Sequence, residues 1–134
     1  MKRVRVLLAD DEPAILDLAK RVLERKFEVV GATADGDSLL AAARMLRPDI
    51  IISEITMPGL SGFDVASQLA VQENPPRFIF FTSLVEPEIV EKALALGASG
   101  YVLKPSSMSD LVQAVDTAMR GEIFISPTLP WWHT

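Results

Sequence analysis

The chain has 134 residues, enough for one domain that buries a core without covalent staples, and its 49% hydrophobic content excludes a disordered chain. It has no cysteine, which excludes disulfides and thiolate metal sites, and no apolar run approaches the roughly 18 residues of a membrane span. A net charge of −5 argues against direct nucleic-acid contact, which needs clustered Lys and Arg, and Met1-Lys2-Arg3 opens without a signal-peptide pattern, so a cytoplasmic location is expected.

Taken in chain order, short β-branched runs alternate with helical periods. The first run, Val4 to Ala9, ends in Asp10-Asp11-Glu12. Pro13 then suits the first turn of a helix capped by Asp11 or Glu12, with Ile15, Leu18, Ala19, Val22 and Leu23 on its apolar face. A second run covers Phe27 to Ala32, followed by a helix through Leu39, Leu40, Ala43 and Leu46 that Arg47-Pro48 closes. The third run, Ile50 to Ser53, and the fourth, Phe78 to Thr82, are apolar at nearly every position, the mark of strands buried on both faces of a parallel sheet. Phe63, Val65, Ala66, Leu69 and Ala70 form the helical face between them. Ile89 to Leu96 form a fourth helix stopped by Gly97, Gly100 to Leu103 a fifth strand, and Leu111 to Ala118 a fifth helix stopped by Gly121.

This pattern predicts a (βα)5 doubly wound, five-stranded parallel sheet of order 2-1-3-4-5, with residues 1–121 as the domain and 122–134 as a tail or the start of a linker. Ligands in such folds sit outside the carboxyl ends of the strands. Those ends carry Asp10-Asp11-Glu12, Ser53-Glu54, Thr82-Ser83 and Lys104-Pro105. Carboxylates crowded at two neighbouring strand ends need a counter-charge, and a hard divalent cation with oxygen ligands, Mg²⁺ above all, supplies it. An ammonium at Lys104 and a hydroxyl at Thr82 complete a set suited to phosphoryl binding. Taken singly, Thr82 reads as a strand residue, Lys104 as a solvated lysine and Tyr101 as a core aromatic; the ordered set carries the argument.

The motifs Leu8-Ala9-Asp10-Asp11-Glu12, Met57-Pro58-Gly59-Leu60-Ser61-Gly62, Thr82, and Gly97 through Tyr101 to Lys104-Pro105 resemble a response-regulator receiver domain of two-component signalling. The closing Gly121-Glu122-Ile123-Phe124-Ile125-Ser126-Pro127 resembles the segment leaving receivers that carry a helix-turn-helix output domain. The resemblance implies a flavodoxin-like fold and a regulatory switch, not an enzyme. It implies Mg²⁺ held by Asp10, Asp11, the acceptor position and the Thr56 carbonyl. Thr82 and Lys104 would bind the phosphoryl group, and Tyr101 would be an aromatic switch. Pro58 and Gly59 would form a structural turn, with Pro105 following Lys104 in a cis peptide. The partners it implies are a sensor histidine kinase, and a second copy or an output domain through the surface from the fourth to the fifth helix.

The resemblance places the phosphate-accepting aspartate where this chain has Glu54. The added methylene moves the carboxylate by about 1.5 Å. In-line transfer is sensitive to about 1 Å of misplacement, which costs on the order of 10²-fold. Phosphorylation at Glu54 is therefore expected to be impaired; its carboxylate, reaching toward Thr82 and Lys104, either acts as a partial mimic that biases the domain toward its active shape or locks the switch in no particular state. A Mg²⁺-dependent phosphotransferase or phosphatase with an aspartyl nucleophile is the competing reading, though no cap domain or long insertion is present to enclose a substrate. A dinucleotide module is disfavoured, since acids fill the first loop where glycines would be needed.

Overall fold

The computed structural model describes residues 2–104 and 108–130. Among these residues the apolar runs pair into one parallel sheet. Its strands are β1 (Arg5–Ala9), β2 (Glu28–Thr33), β3 (Ile50–Ser53), β4 (Arg77–Thr82), β5 (Gly100–Leu103) and β6 (Phe124–Ile125), in the order β2-β1-β3-β4-β5-β6. The connecting helices are α1 (Pro13–Leu23), α2 (Gly36–Leu46), α3 (Gly62–Ala70), α4 (Pro87–Ala95) and α5 (Ser109–Met119).

The continuous hydrophobicity of the central strands has a direct cause. Alternate side chains enter two separate cores, one on each face of the sheet. Leu7, Ile51, Phe78, Phe80 and Tyr101 pack under α2, α3 and α4. Val6, Leu8, Ile50, Ile52, Ile79, Phe81 and Val102 pack under α1 and α5. Phe63 of α3 meets Phe80 edge-on at 5.0 Å between ring centroids, anchoring the first of these cores. Among the described residues no helix is long and apolar enough to cross a membrane.

Two local expectations change. The sheet has six strands, not five: the segment after Gly121, expected as a tail or linker, returns to the sheet and adds β6 to the edge of β5. The helix cap expected from Asp11 or Glu12 is positional only. Glu12 occupies the N-cap of α1 without a side-chain bond, and Asp10 Oδ1 instead accepts from the Glu12 N–H at 2.9 Å. On α2 and α3 capping follows side-chain chemistry. Asp35 accepts from the Ser38 N–H at the start of α2, and Ser61 and Asp64 form a reciprocal capping box on α3.

The turn after β3 is tied to α2. The Pro58 carbonyl accepts from the Gly36 N–H at 3.1 Å, and Gly59 has φ +74°, as its expected role in a turn requires. A Cβ on Gly36 would lie 1.8 Å from the Leu60 carbonyl oxygen, so the loop closes on α2 only because no side chain intervenes. A Cβ on Gly59 would meet only the Asp37 side chain, 2.1 Å from its Oδ2. Gly36→Ala should therefore cost about 3 kcal/mol, the upper part of the overpacking range. Gly59→Ala should cost about 1–2 kcal/mol, the left-handed backbone penalty. Urea midpoints would rank them, and an equal ranking would contradict the steric account.

Candidate functional site

The parallel ladder extends one residue beyond three of the strands and fixes the backbone of the site. Asp10 N–H donates to the Thr33 carbonyl at 3.0 Å, Glu54 N–H to the Ala9 carbonyl at 3.0 Å, and Lys104 N–H to the Thr82 carbonyl at 2.8 Å. Since β1, β3, β4 and β5 are neighbours in the sheet, these bonds bring residues up to 94 positions apart into one pocket at its carboxyl edge.

Lys104 lies at the centre. Its Nζ stands 2.6 Å from Asp10 Oδ2 and 3.1 Å from Glu54 Oε1, with Glu12 Oε1 at 3.9 Å. The side chains of Lys104, Asp10 and Glu54 are only 9%, 4% and 10% exposed, so these contacts differ in kind from surface ion pairs. The ammonium also lies 5.4 Å from the centroid of the Phe81 ring. Burial works against its charge, but the contacts with Asp10 and Glu54, and their charges, outweigh it and hold the lysine pKa above its ordinary value.

Both carboxylate oxygens of Glu54 accept a hydrogen bond. Its Oε2 accepts from the Ile55 N–H at 2.7 Å while Oε1 accepts from Lys104. The extra methylene lets the carboxylate fold back on its own backbone and still reach across the pocket. Ser53, completely buried, donates its hydroxyl to the Glu54 carbonyl at 2.7 Å and fixes the peptide from behind.

Thr82 is also completely buried, but its hydroxyl faces its own loop and accepts from the Leu84 N–H at 3.4 Å. Among the described residues the hydrogen bonds of Glu54 and Thr82 go to other partners, not to each other. Tyr101 is turned inward with no exposed surface, and its hydroxyl donates to the Leu84 carbonyl at 2.8 Å. Burial, then the charges of Glu54 and Glu86, raise the pKa of this phenol above its ordinary value. Thr82 and Tyr101 therefore converge on Leu84, a residue whose backbone, not its side chain, makes the connection.

Of the four groups expected to share Mg²⁺, two are buried and two are exposed. Asp11 and Thr56 are exposed at the rim, whereas Asp10 and Glu54 share the Lys104 ammonium. Among the described residues no group of three or more acidic or histidine side chains is arranged to hold a metal ion. Asp10 Oδ2 is a buried oxygen without a hydrogen bond; Lys104 lies close to it as a charge but outside hydrogen-bond alignment. Asp10 and Glu54 are oxygen donors of the kind a hard divalent ion takes, and here both are paired with the Lys104 ammonium. Pro58 and Gly59 lie in the turn after Glu54; Pro105 and its peptide bond with Lys104 lie outside the described residues, as do Trp131, Trp132 and His133.

Sequence reasoning did not assign roles to Ser53, Ile55 or Leu84. Ile55 and Leu84 contribute backbone groups, which leave no trace in residue type. Ser53 was visible only as the polar end of an apolar run.

Comparison with known proteins agrees with this architecture. The family model for the response regulator receiver domain matches residues 6–116. The transcriptional regulatory protein PdtaR of Mycobacterium tuberculosis is 36% identical over 129 residues, a match covering 89% of this chain and 62% of that protein. The chain thus spans about three-fifths of the length of this relative. A crystal structure of a LuxR-family two-component response regulator from an Aurantimonas species superposes with a TM-score of 0.88 at 31% identity, covering 96% of this chain and 93% of the other. The isolated receiver of RcsB from Salmonella enterica, solved with the phosphomimetic BeF3−, gives 0.87 at 26% identity, with 96% of each chain covered. A parallel sheet in receiver order, acids and a lysine at its carboxyl edge, and a family match across most of the sequence together place this chain in the response-regulator receiver domain family.

Proposed function

We propose that this chain is the input module of a longer transcription regulator, and that its switch is held by the fixed charge of Glu54 instead of being set by phosphoryl transfer to that residue. One observation carries the reading: both carboxylate oxygens of Glu54 are already bonded, one to Lys104 and one to the Ile55 N–H. A nucleophile for in-line attack needs a free lone pair aimed at the incoming phosphorus. Here one lone pair of each oxygen already accepts a hydrogen bond, and the two bonds together fix the carboxylate's orientation away from free in-line alignment.

In this reading Glu54 acts as a permanently bound ligand of Lys104. A ligand shifts a two-state equilibrium only by its preference for one state. The preferred state has Tyr101 turned in against Leu84. The mimicry is partial, because a carboxylate has two oxygens and one charge where a phosphoryl group has three oxygens and nearly two charges. Mg²⁺, a cofactor the family resemblance implies, would have to compete with Lys104 for Asp10 and Glu54. The transcriptional role of the relatives supports a helix-turn-helix output domain following the tail. A sensor histidine kinase would be the upstream partner, and α4 with α5 the face presented to a second copy or to the output domain.

Incubation with acetyl phosphate, followed by intact-mass spectrometry, should give no stable adduct. Glu54→Asp should gain labelling by about 10²-fold or more. Stable incorporation at Glu54 itself would overturn the proposal.

Calorimetric titration with Mg²⁺ should show weak binding. Lys104→Ala should tighten it by about tenfold or more, roughly 1.4 kcal/mol, once the carboxylates lose their resident cation. Unchanged affinity in that variant would count against the competition.

Alkaline titration tests the inward tyrosine. Tyr101 is the single tyrosine, and both it and Lys104 have pKa values raised on folding. Their contribution to stability is present below the unfolded values, about 10 for tyrosine, and is lost as pH rises through the folded ones. Phenolate absorbance should therefore appear together with loss of helical circular dichroism. Smooth ionisation near pH 10 with the helices intact would refute burial of the hydroxyl.

A further inference from the structure

The chain leaving α5 turns at Gly121 and runs back along the outer edge of β5. Phe124 N–H donates to the Ser99 carbonyl at 3.1 Å, and Ser126 N–H to the Tyr101 carbonyl at 2.9 Å. These bonds set the parallel register of β6, Gly100 opposite Phe124 and Tyr101 opposite Ile125. Ser126 then grips the strand a second time, its hydroxyl accepting from the Leu103 N–H at 3.2 Å. Leu129 N–H closes a turn onto the Ser126 carbonyl at 3.2 Å.

This segment is built into the core. Ser126 is completely buried and Leu129 is 2% exposed. Phe124 belongs to the core under α1 and α5, whereas Ile125 and Leu129 pack with the core under α2, α3 and α4. The segment therefore wraps the end of the sheet and joins both layers. An edge strand presents unpaired backbone groups, and these bonds satisfy three of them on β5 and its approach.

Edge protection does not by itself explain where the grip falls. Ser126 holds Tyr101 through its carbonyl and Leu103 through its N–H. Tyr101 reaches Leu84 from its other end, and Leu103 directly precedes Lys104, which binds Asp10 and Glu54. β5 thus has the charged pocket at its carboxyl end and the exit segment along its outer edge. A two-residue strand is marginal alone, so its pairing is sensitive to small changes in the strand it reads.

We propose that Phe124–Leu129 is a sensing strap: the Glu54–Lys104 ion pair and the Ser126 grip on β5 stabilise each other, so the charge at position 54 controls how firmly the chain is held where it leaves the domain. The proposal uses the pocket geometry described above but not the claim that Glu54 refuses a phosphoryl group. A binder laid across β5 between α4 and α5 would meet this strap first.

Amide hydrogen exchange on the full 134-residue chain tests it. In Glu54→Gln, the Phe124, Ser126 and Leu103 amides should exchange faster by about fivefold or more, the lower end of ordinary coupling, while those of Leu7 and Ile51 keep their protection. Coupling is reciprocal, so Ser126→Ala should move the Glu54 carboxylate resonance. The double variant should also accelerate strap exchange by less than the product of the two single effects. Ser126→Cys, which keeps the volume but weakens the acceptor, replaces Ser126→Ala if that variant does not fold. Unchanged strap exchange in Glu54→Gln, equal acceleration throughout the sheet, or strictly multiplicative effects would each overturn the strap. The acetyl phosphate result bears only on the acceptor reading, so the two proposals fail separately.

Discussion

The contacts of one ammonium group organise the functional end of this domain. Lys104 Nζ stands between two nearly buried carboxylates, Asp10 and Glu54. Removing such a cation would leave uncompensated charge in a site with little solvent, a loss of about 3–5 kcal/mol for buried pairs generally. The backbone beneath it is correspondingly fixed. Lys104, Glu54 and Asp10 each extend a ladder of the parallel sheet by one bond. The sheet supplies positional accuracy, and the charges make use of it.

The length of the Glu54 side chain shapes how the pocket is neutralised. An added methylene reaches far enough for one oxygen to meet Lys104 and is flexible enough for the other to cap the Ile55 N–H. The carboxylate is thereby a structural group with both oxygens committed. The same arrangement satisfies much of the charge requirement that would otherwise draw a metal ion, because the lysine already serves Asp10. Internal neutralisation of the pocket and a fixed carboxylate orientation both follow from the length of the Glu54 side chain.

The groups expected to switch are connected in this molecule through backbone atoms. Thr82 and Tyr101 meet at Leu84, one through its N–H and the other through its carbonyl. On the opposite edge Ser126 holds Tyr101 and Leu103. β5 is consequently bonded to a loop on one side and to the departing chain on the other, with Lys104 at its end. A short, completely buried strand in that position responds as a unit, because interiors are too closely packed for one residue to shift alone.

Much of this was legible in the sequence, and the boundary of what was legible has a physical basis. Ile50-Ile51-Ile52 and Phe78-Ile79-Phe80-Phe81 declare strands buried on both faces, since two cores consume alternate side chains. From alternating strands and helices the sheet order follows, and from the order follows the meeting of Asp10, Glu54, Thr82 and Lys104. Residue type and chain order sufficed there because hydrophobic period and crossover handedness are local rules. β6 escaped because two residues cannot display a period. The inward rotamer of Tyr101, the rotation of Thr82 away from Glu54, and the choice of Lys104 as partner for Asp10 escaped for another reason. They depend on distances between side chains up to 94 positions apart and on backbone groups that every residue carries alike. The sequence by itself determined the sheet, its order and the chemistry gathered at its carboxyl edge. Only the tertiary structure decided which charges pair, which way Thr82 and Tyr101 face and where the exit segment is held, because those outcomes are settled by competition for partners within the folded pocket.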